Sequence, residues 1–178
     1  KGVMLTHGNI VSNAAQGAGS IVTFTEHDRM LSVLPLAHTF ECTLGLVLPI
    51  LRGTHVFYLD KPPTGRVLLP ALAEVRPTVM AAVPLIMEKI YKTSILPKLT
   101  SNRLSRWLYS IPVIRRFMNR AAGKKLLETF GGEIWLVAIA GAPLAADAER
   151  FFREAKFPYA MGFGLTETSP LLTGTHPK

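Results

Sequence analysis

Short apolar runs recur along this chain between longer segments of helical periodicity, and that alternation narrows the possible folds sharply. The runs cover residues 30–34, 55–59, 78–83, 134–140 and 159–163. Most are apolar throughout rather than at every second position, which is the pattern of parallel strands covered on both faces. The segments between them, at 6–19, 38–51, 66–75, 84–92 and 145–155, read as helices. Thr6 or Asn9 is placed to cap the first, although no Glu or Gln stands three residues on. Pro35, Pro62, Pro63, Pro77 and Pro158 stand at junctions, where a missing N–H is tolerated. The predicted class is α/β, a mostly parallel sheet with helices on both faces and right-handed crossovers.

With 178 residues, 48% of them hydrophobic and 18% charged, the chain can bury a real core and is not a disordered or fibrous protein. A single cysteine, Cys42, excludes an internal disulfide framework and a cysteine-rich zinc module. The most apolar stretch, 30–51, is interrupted by Pro35, His38, Glu41 and Pro49, so it reads as buried core rather than a membrane span. The opening KGVMLTH has no secretory leader and starts mid-phrase, and the expectation is a piece of a larger protein.

Residues 93–131 break the alternation, being far too long for an ordinary connection. Two amphipathic helices are expected there. In the first, Leu104, Trp107, Leu108 and Ile111 stand among Arg103 and Arg106. In the second, Phe117, Met118, Ala121, Ala122, Leu126, Leu127 and Phe130 form the apolar side, opposite Arg116, Asn119, Arg120 and Lys124. The net charge of +8 lies here: residues 89–125 hold ten Lys and Arg and no acid, leaving ten basic and twelve acidic residues elsewhere, a net of −2. Such a face attracts an anionic membrane surface, a nucleic acid or a phosphorylated ligand, or serves only solubility. With the charge confined to one insertion and no nucleic-acid motif beside it, no nucleic-acid partner is expected.

Three phrases follow apolar runs, where an α/β sheet binds ligands. They are Leu34-Pro35-Leu36-Ala37-His38-Thr39-Phe40-Glu41, Ala140-Gly141-Ala142-Pro143-Leu144, and Gly162-Phe163-Gly164-Leu165-Thr166-Glu167-Thr168. The small residues let a flat ligand approach the backbone. Phe163 offers a ring for stacking, Thr166 a hydroxyl for a phosphate oxygen, and Glu167 a hard carboxylate for magnesium. The residues alone equally allow a tight turn over 162–164, a surface or helix-capping Glu167, and a buried structural His38.

Together these phrases resemble the core motifs of the adenylate-forming superfamily, which includes acyl-CoA synthetases, luciferases and peptide-synthetase adenylation domains. KGVMLTHGN is similar to the tail of that family's phosphate loop, PLAHTFE to its aromatic and histidine motif, AGAPL to its adenine loop, and GFGLTETSP to its Tyr-Gly-Leu-Thr-Glu motif. The resemblance runs through nearly the whole chain, with the motifs in the family's order. It implies that Lys1 and Gly2 end the phosphate loop, that Gly141, Ala142 and Pro143 line one side of adenine, and that Gly162, Phe163 and Gly164 line the other. Thr166 then contacts phosphate, Glu167 holds magnesium, and His38 orients the carboxylate being activated. Phe163 stands where the family more often has Tyr, losing a hydroxyl contact. Ala140 replaces a Gly, narrowing the acyl channel slightly.

The basic insertion resembles the long-chain acyl-CoA synthetase branch. The implied function is a fragment of a long-chain fatty acid–CoA ligase that uses ATP, magnesium and CoA. The alternatives are an acyl-AMP ligase serving a carrier protein, and a non-catalytic membrane-surface module on the same fold. The expected layout is one partial AMP-binding domain over 1–178, without the start of the phosphate loop or the C-terminal domain. The expected setting is cytoplasmic, peripheral at the inner membrane face. Alone, the fragment is expected to be inactive, and self-association through uncovered apolar edges is expected.

Overall fold

The computed structural model describes residues 2–20 and 24–176, with nothing stated of the side chains of 18–20. Its elements in chain order are α1 (His7–Ser20), β1 (Arg29–Ser32), α2 (Thr39–Cys42), α3 (Leu48–Arg52), β2 (His55–Tyr58), α4 (Gly65–Val75), β3 (Val79–Ala82), α5 (Pro84–Lys89), α6 (Leu96–Leu99), α7 (Arg103–Ser110), α8 (Pro112–Thr129), β4 (Leu136–Ile139), α9 (Ala146–Ala155), β5 (Tyr159–Phe163) and β6 (Thr173–Gly174). Two π-helical segments, Thr43–Val47 and Ile90–Ile95, join α2 to α3 and α5 to α6. Of the two expected capping residues, Thr6 caps α1 and Asn9 is its partner. The Asn9 N–H donates to Thr6 Oγ1 (3.1 Å) while the Thr6 N–H donates to Asn9 Oδ1 (2.9 Å), so Asn fills the reciprocal role usually taken by Glu.

The strands form one six-stranded sheet in the order β2-β1-β3-β4-β5-β6, parallel except for β6. β6 is two residues of antiparallel pairing on β5, too short to show in the sequence pattern. Each inner strand sends successive side chains to opposite faces, and both faces are covered. Leu31, Val33, Met80, Ala82, Val137, Ile139 and Tyr159 pack with α4, α5, α8 and α9. Met30, Val79, Ala81, Leu136 and Ala160 pack with α1, α2 and α3. The chain steps to one side of β1 for β2 and to the other for β3, so crossovers of one hand put their helices on opposite faces. The larger core centres on Phe152, fully buried against Phe151, Phe157 and Tyr159.

The insertion departs from its expected form. Helix continues from Pro84 almost unbroken to Leu99, so the extra segment begins near residue 100 rather than 93. The roll of α8 is also different. Phe117, expected inside, is 69% exposed, and Asn119, expected outside, is buried. The cause is the crossing with α9: a β-carbon on Gly123 would stand 2.7 Å from Cβ and the carbonyl oxygen of Ala155, so the helices meet there. That contact turns the Asn119, Gly123 and Leu126 stripe inward. Arg115 goes in with it, donating to both carboxylate oxygens of Glu154 (2.8 and 3.1 Å), and Asn119 Nδ2 donates to the same carboxylate (2.8 Å). The Arg115 hydrogen bonds hold the Glu154 carboxyl below its ordinary range despite partial burial.

At the amino edge of the sheet, buried Asp28 accepts from the Thr25 N–H and hydroxyl, the Thr78 hydroxyl and Trp135 Nε1 at 2.7–3.0 Å. Burial raises its pKa, but these hydrogen bonds outweigh that and leave it below the ordinary 3.8. The resulting stability is fully present above pH 3.8 and is lost as pH falls through the lower folded value. Asp28→Ala should cost roughly 3 kcal/mol at neutral pH, because it strands buried donors. In urea unfolding of the full-length parent followed by tryptophan fluorescence, the gap between variant and parent should close once acid protonates Asp28.

Candidate functional site

The parallel strands end at a common edge, and the three predicted phrases leave from it. The loop 140–145 follows β4. Its base is fixed by buried Leu144 and by the Ala145 N–H, which donates to Glu88 Oε1 at 2.8 Å. Gly141 has φ +99° with open space around it, a conformation that needs glycine, and Ala142 and Pro143 are exposed. The neighbouring strand ends in Phe163, 59% exposed, so a flat exposed ring stands beside the loop. Gly162 is half-buried against Ala140 and Leu171. Gly164 has a packing reason to be small, since a β-carbon there would overlap the carbonyl of Pro170. Its smallness lets the chain fold back to form β6.

After Phe163 the backbone makes a short 3-10 turn, Thr166–Thr168. Thr168 closes it by accepting from the Leu165 N–H (2.9 Å) and donating to the Pro170 carbonyl (2.7 Å). Thr166 and Glu167 are therefore held on a fixed turn with both side chains exposed. The turn faces the amino-terminal half of α1 across an open groove of about 600 Å³ lined by Val3, Gly8, Asn9, Ser12, Gln16 and Glu167. Asn13 builds this groove. Its Nδ2 donates to the carbonyls of Thr168 (3.0 Å) and Leu171 (2.6 Å), and its Oδ1 accepts from the Leu171 N–H (3.1 Å). Gly2 lies in the exposed segment before α1, and Lys1 falls outside the described residues. Asn13 escaped the sequence reading because a clamp spanning 155 residues leaves no local signal.

His38 is on the same edge, after β1. Three strand intervals separate β1 from β5, roughly 14 Å, so His38 stands to one side of Glu167. It is exposed rather than buried, and it caps α2, with Nδ1 accepting from the Phe40 N–H at 3.2 Å. The accepting nitrogen carries no proton, which leaves Nε2–H as the free donor. Between the two, Thr43 Oγ1 donates to the Ser169 carbonyl (3.4 Å) and ties the π-helical segment to the end of the Glu167 turn. Glu41, in the same phrase as His38, was given no role by the sequence, yet it is fully buried.

Among the described residues no group of three His, Cys, Asp or Glu is placed to hold a metal ion. One exposed carboxylate on a rigid turn fits an ion that arrives with phosphate ligands and keeps its waters, which is how magnesium is usually held. Far from this edge, Arg116, Arg120, Arg153 and Lys156 surround a groove of about 570 Å³ between α8 and α9, with Val113 and Phe117 on its wall. Arg115 is spent internally on Glu154 and adds nothing to that surface.

The sequence matches the model of the family described as AMP-binding enzyme over residues 1–178. It is 34% identical to long-chain-fatty-acid–CoA ligase 3 of Saccharomyces cerevisiae, over 94% of this chain and 26% of that protein. It is 28% identical to long chain acyl-CoA synthetase 8 of Arabidopsis thaliana, over 94% of this chain and 27% of that protein. The chain thus spans about a quarter of these relatives. The fold is shared with O-succinylbenzoate coenzyme A synthetase from Bacillus subtilis in complex with AMP, at TM-score 0.71 and 22% identity, over 99% of this chain and 29% of that one. With an AMP-binding match along its whole length and the family's motifs gathered at one sheet edge, the chain belongs to the AMP-binding enzyme family.

Proposed function

We propose that this chain is part of the large N-terminal domain of an AMP-forming long-chain fatty acid–CoA ligase. The start of the phosphate loop and the C-terminal domain would lie outside it. The observation that carries this reading is the meeting of the segment before α1, and α1 itself, with the Glu167 turn across one groove, with exposed Phe163 and the 140–143 loop at the ends of the neighbouring strands β5 and β4. In the reaction, a fatty acid carboxylate oxygen attacks the α-phosphorus of ATP, giving acyl-adenylate and pyrophosphate. The CoA thiolate then attacks the acyl carbon and AMP leaves.

Gly141, Ala142 and Pro143 take one face of adenine while Phe163 stacks on the other. Thr166 donates to a phosphate oxygen, and the Nε2–H of His38 orients the incoming carboxylate. Glu167 is the residue that would hold magnesium arriving with ATP. Magnesium supplies charge neutralisation between two anions that must meet in line. These residues bring reactants together and exclude competing geometries. The phosphate-loop start and C-terminal domain are needed for turnover, so the 178 residues alone should be inactive.

A second observation supports a membrane-facing role for the insertion. Leu104, Trp107, Val113 and Phe117 are exposed among Arg103, Arg106, Arg116 and Arg120, a pairing of apolar and cationic side chains suited to lying in a lipid interface. Among the described residues no helix is long and apolar enough to cross a membrane. The reading is therefore peripheral attachment, at about 1 kcal/mol per basic residue near anionic lipid.

Two measurements test these readings. In the full-length parent, pyrophosphate exchange into ATP should depend on long-chain acids, and Glu167→Gln should lower it by roughly a hundredfold. Exchange at the parental rate would remove Glu167 from the site. Vesicles containing phosphatidylserine should bind the parent and release it with salt. Replacing Arg103, Arg106, Arg116 and Arg120 together by Gln should abolish that binding while exchange persists, and unchanged binding would refute the membrane role.

A further inference from the structure

Glu41 is the one acid of the described chain with no measurable exposure, and it lies directly beneath the site edge. Its Oε1 accepts from the Ser32 hydroxyl at the end of β1, while Oε2 has no hydrogen-bond partner among the described residues. The π-helical segment closes over it. A β-carbon on Gly45 would stand 2.6 Å from Oε1, so any larger residue there would push the carboxyl aside. The Gly45 carbonyl in turn accepts from the Tyr58 hydroxyl (3.0 Å) at the end of β2. This one carboxyl group therefore sits where the ends of β1, β2 and the turn of α2 meet, and the loop that joins β1 to α2 and carries His38 reaches it through the Leu34 amide. No ion pair among the described residues includes Glu41.

We infer that Glu41 is a positioning residue for His38: in its protonated form it holds the end of β1 against the π-helical segment, and its ionisation releases the loop that presents the imidazole. The carboxylate form is disfavoured by geometry. It would leave a buried charge facing only the Ser32 hydroxyl and the Leu34 amide, with no cation paired to it. Burial pushes the Glu41 carboxyl up to about 7, against smaller opposing effects of the Ser32 hydroxyl and the Leu34 amide. The other titratable groups facing it are Tyr58 from β2 and Cys42 on its own helix. The Tyr58 phenol is itself pushed up, first by burial and then by Glu41 and Cys42. From β1 and the π-helical segment the neighbours are Ser32 and Gly45, which do not titrate. The sign follows: with a folded pKa above the unfolded 4.5, the stabilisation is complete below 4.5 and is lost as pH rises through about 7.

The effect on reaction rate rests on the ligase reading above; the effect on the loop does not. The full-length parent is the protein to use, with Glu41→Gln as the permanently uncharged isostere. In pyrophosphate exchange, kcat/KM for the acid should fall as the parent is taken alkaline through neutrality, and Glu41→Gln should remove that limb. Ser32→Ala should lower kcat/KM for the acid by about tenfold while KM for ATP stays within about twofold. A parental pH profile in Glu41→Gln overturns the inference. Hydrogen exchange at the His38 and Phe40 amides, corrected for intrinsic rate, is the readout free of activity. Above neutrality these amides should be less protected in the parent than in Glu41→Gln, and equal protection overturns the inference even if no acid supports exchange. Should Glu41→Gln fail to fold, Gly45→Ala, which crowds the same carboxyl, should weaken that protection at every pH, and unchanged protection refutes the role.

Discussion

Burial of the parallel sheet on both faces is the condition on which the rest of this molecule depends. Parallel strands cannot be joined by tight turns, so each needs a crossover, and each crossover brings apolar surface to one face or the other. Met30, Val79, Ala81 and Leu136 face α1, α2 and α3, while Leu31, Met80, Val137 and Ile139 face the helices opposite. The same arrangement makes every parallel strand end at one edge. The loops after β1, β4 and β5 therefore share a neighbourhood although 102 residues separate His38 from Ala140. The site is a consequence of strand direction.

Long-range polar contacts turn that neighbourhood into a groove. Asn13 clamps α1 to the backbone after β5, Thr168 shapes the turn bearing Thr166 and Glu167, and Glu88 anchors the loop after β4. Each acts on backbone groups that would otherwise be left unpaired in half-buried positions, which is why such contacts are costly to lose. Glu41 differs in kind. One of its oxygens accepts from Ser32 and the other has no hydrogen-bond partner among the described residues, beneath a π-helical segment, a form of helix frequent at functional sites.

The insertion shows how the packing of one glycine can redirect a surface. Helical periodicity places Phe117 with Leu126 and Phe130, and a hydrophobic count alone puts all three inside. The close crossing at Gly123 and Ala155 turns the helix instead. It buries Asn119, pairs half-buried Arg115 with Glu154 and leaves Phe117 among Arg116 and Arg120 in solvent. The cationic groove that results draws Arg153 and Lys156 from α9, outside the insertion where the sequence concentrates its charge.

The sequence by itself determined the α/β class, the five parallel strands, the order of their helices and the phrases carrying Gly141, Phe163, Thr166, Glu167 and His38. Apolar periodicity and turn chemistry are local, and they are written in consecutive residues. Only the tertiary structure decided that Gly164 lies against the Pro170 carbonyl, that Asn9 completes the cap of α1, that Asn119 is inside and Phe117 outside, that Asn13 clamps α1 to the backbone after β5, and that Glu41 is fully buried. These depend on which backbone arrives from a distant part of the chain. A side chain's partner across 155 residues is set by how helices cross and strands order, and no short window of sequence contains that information.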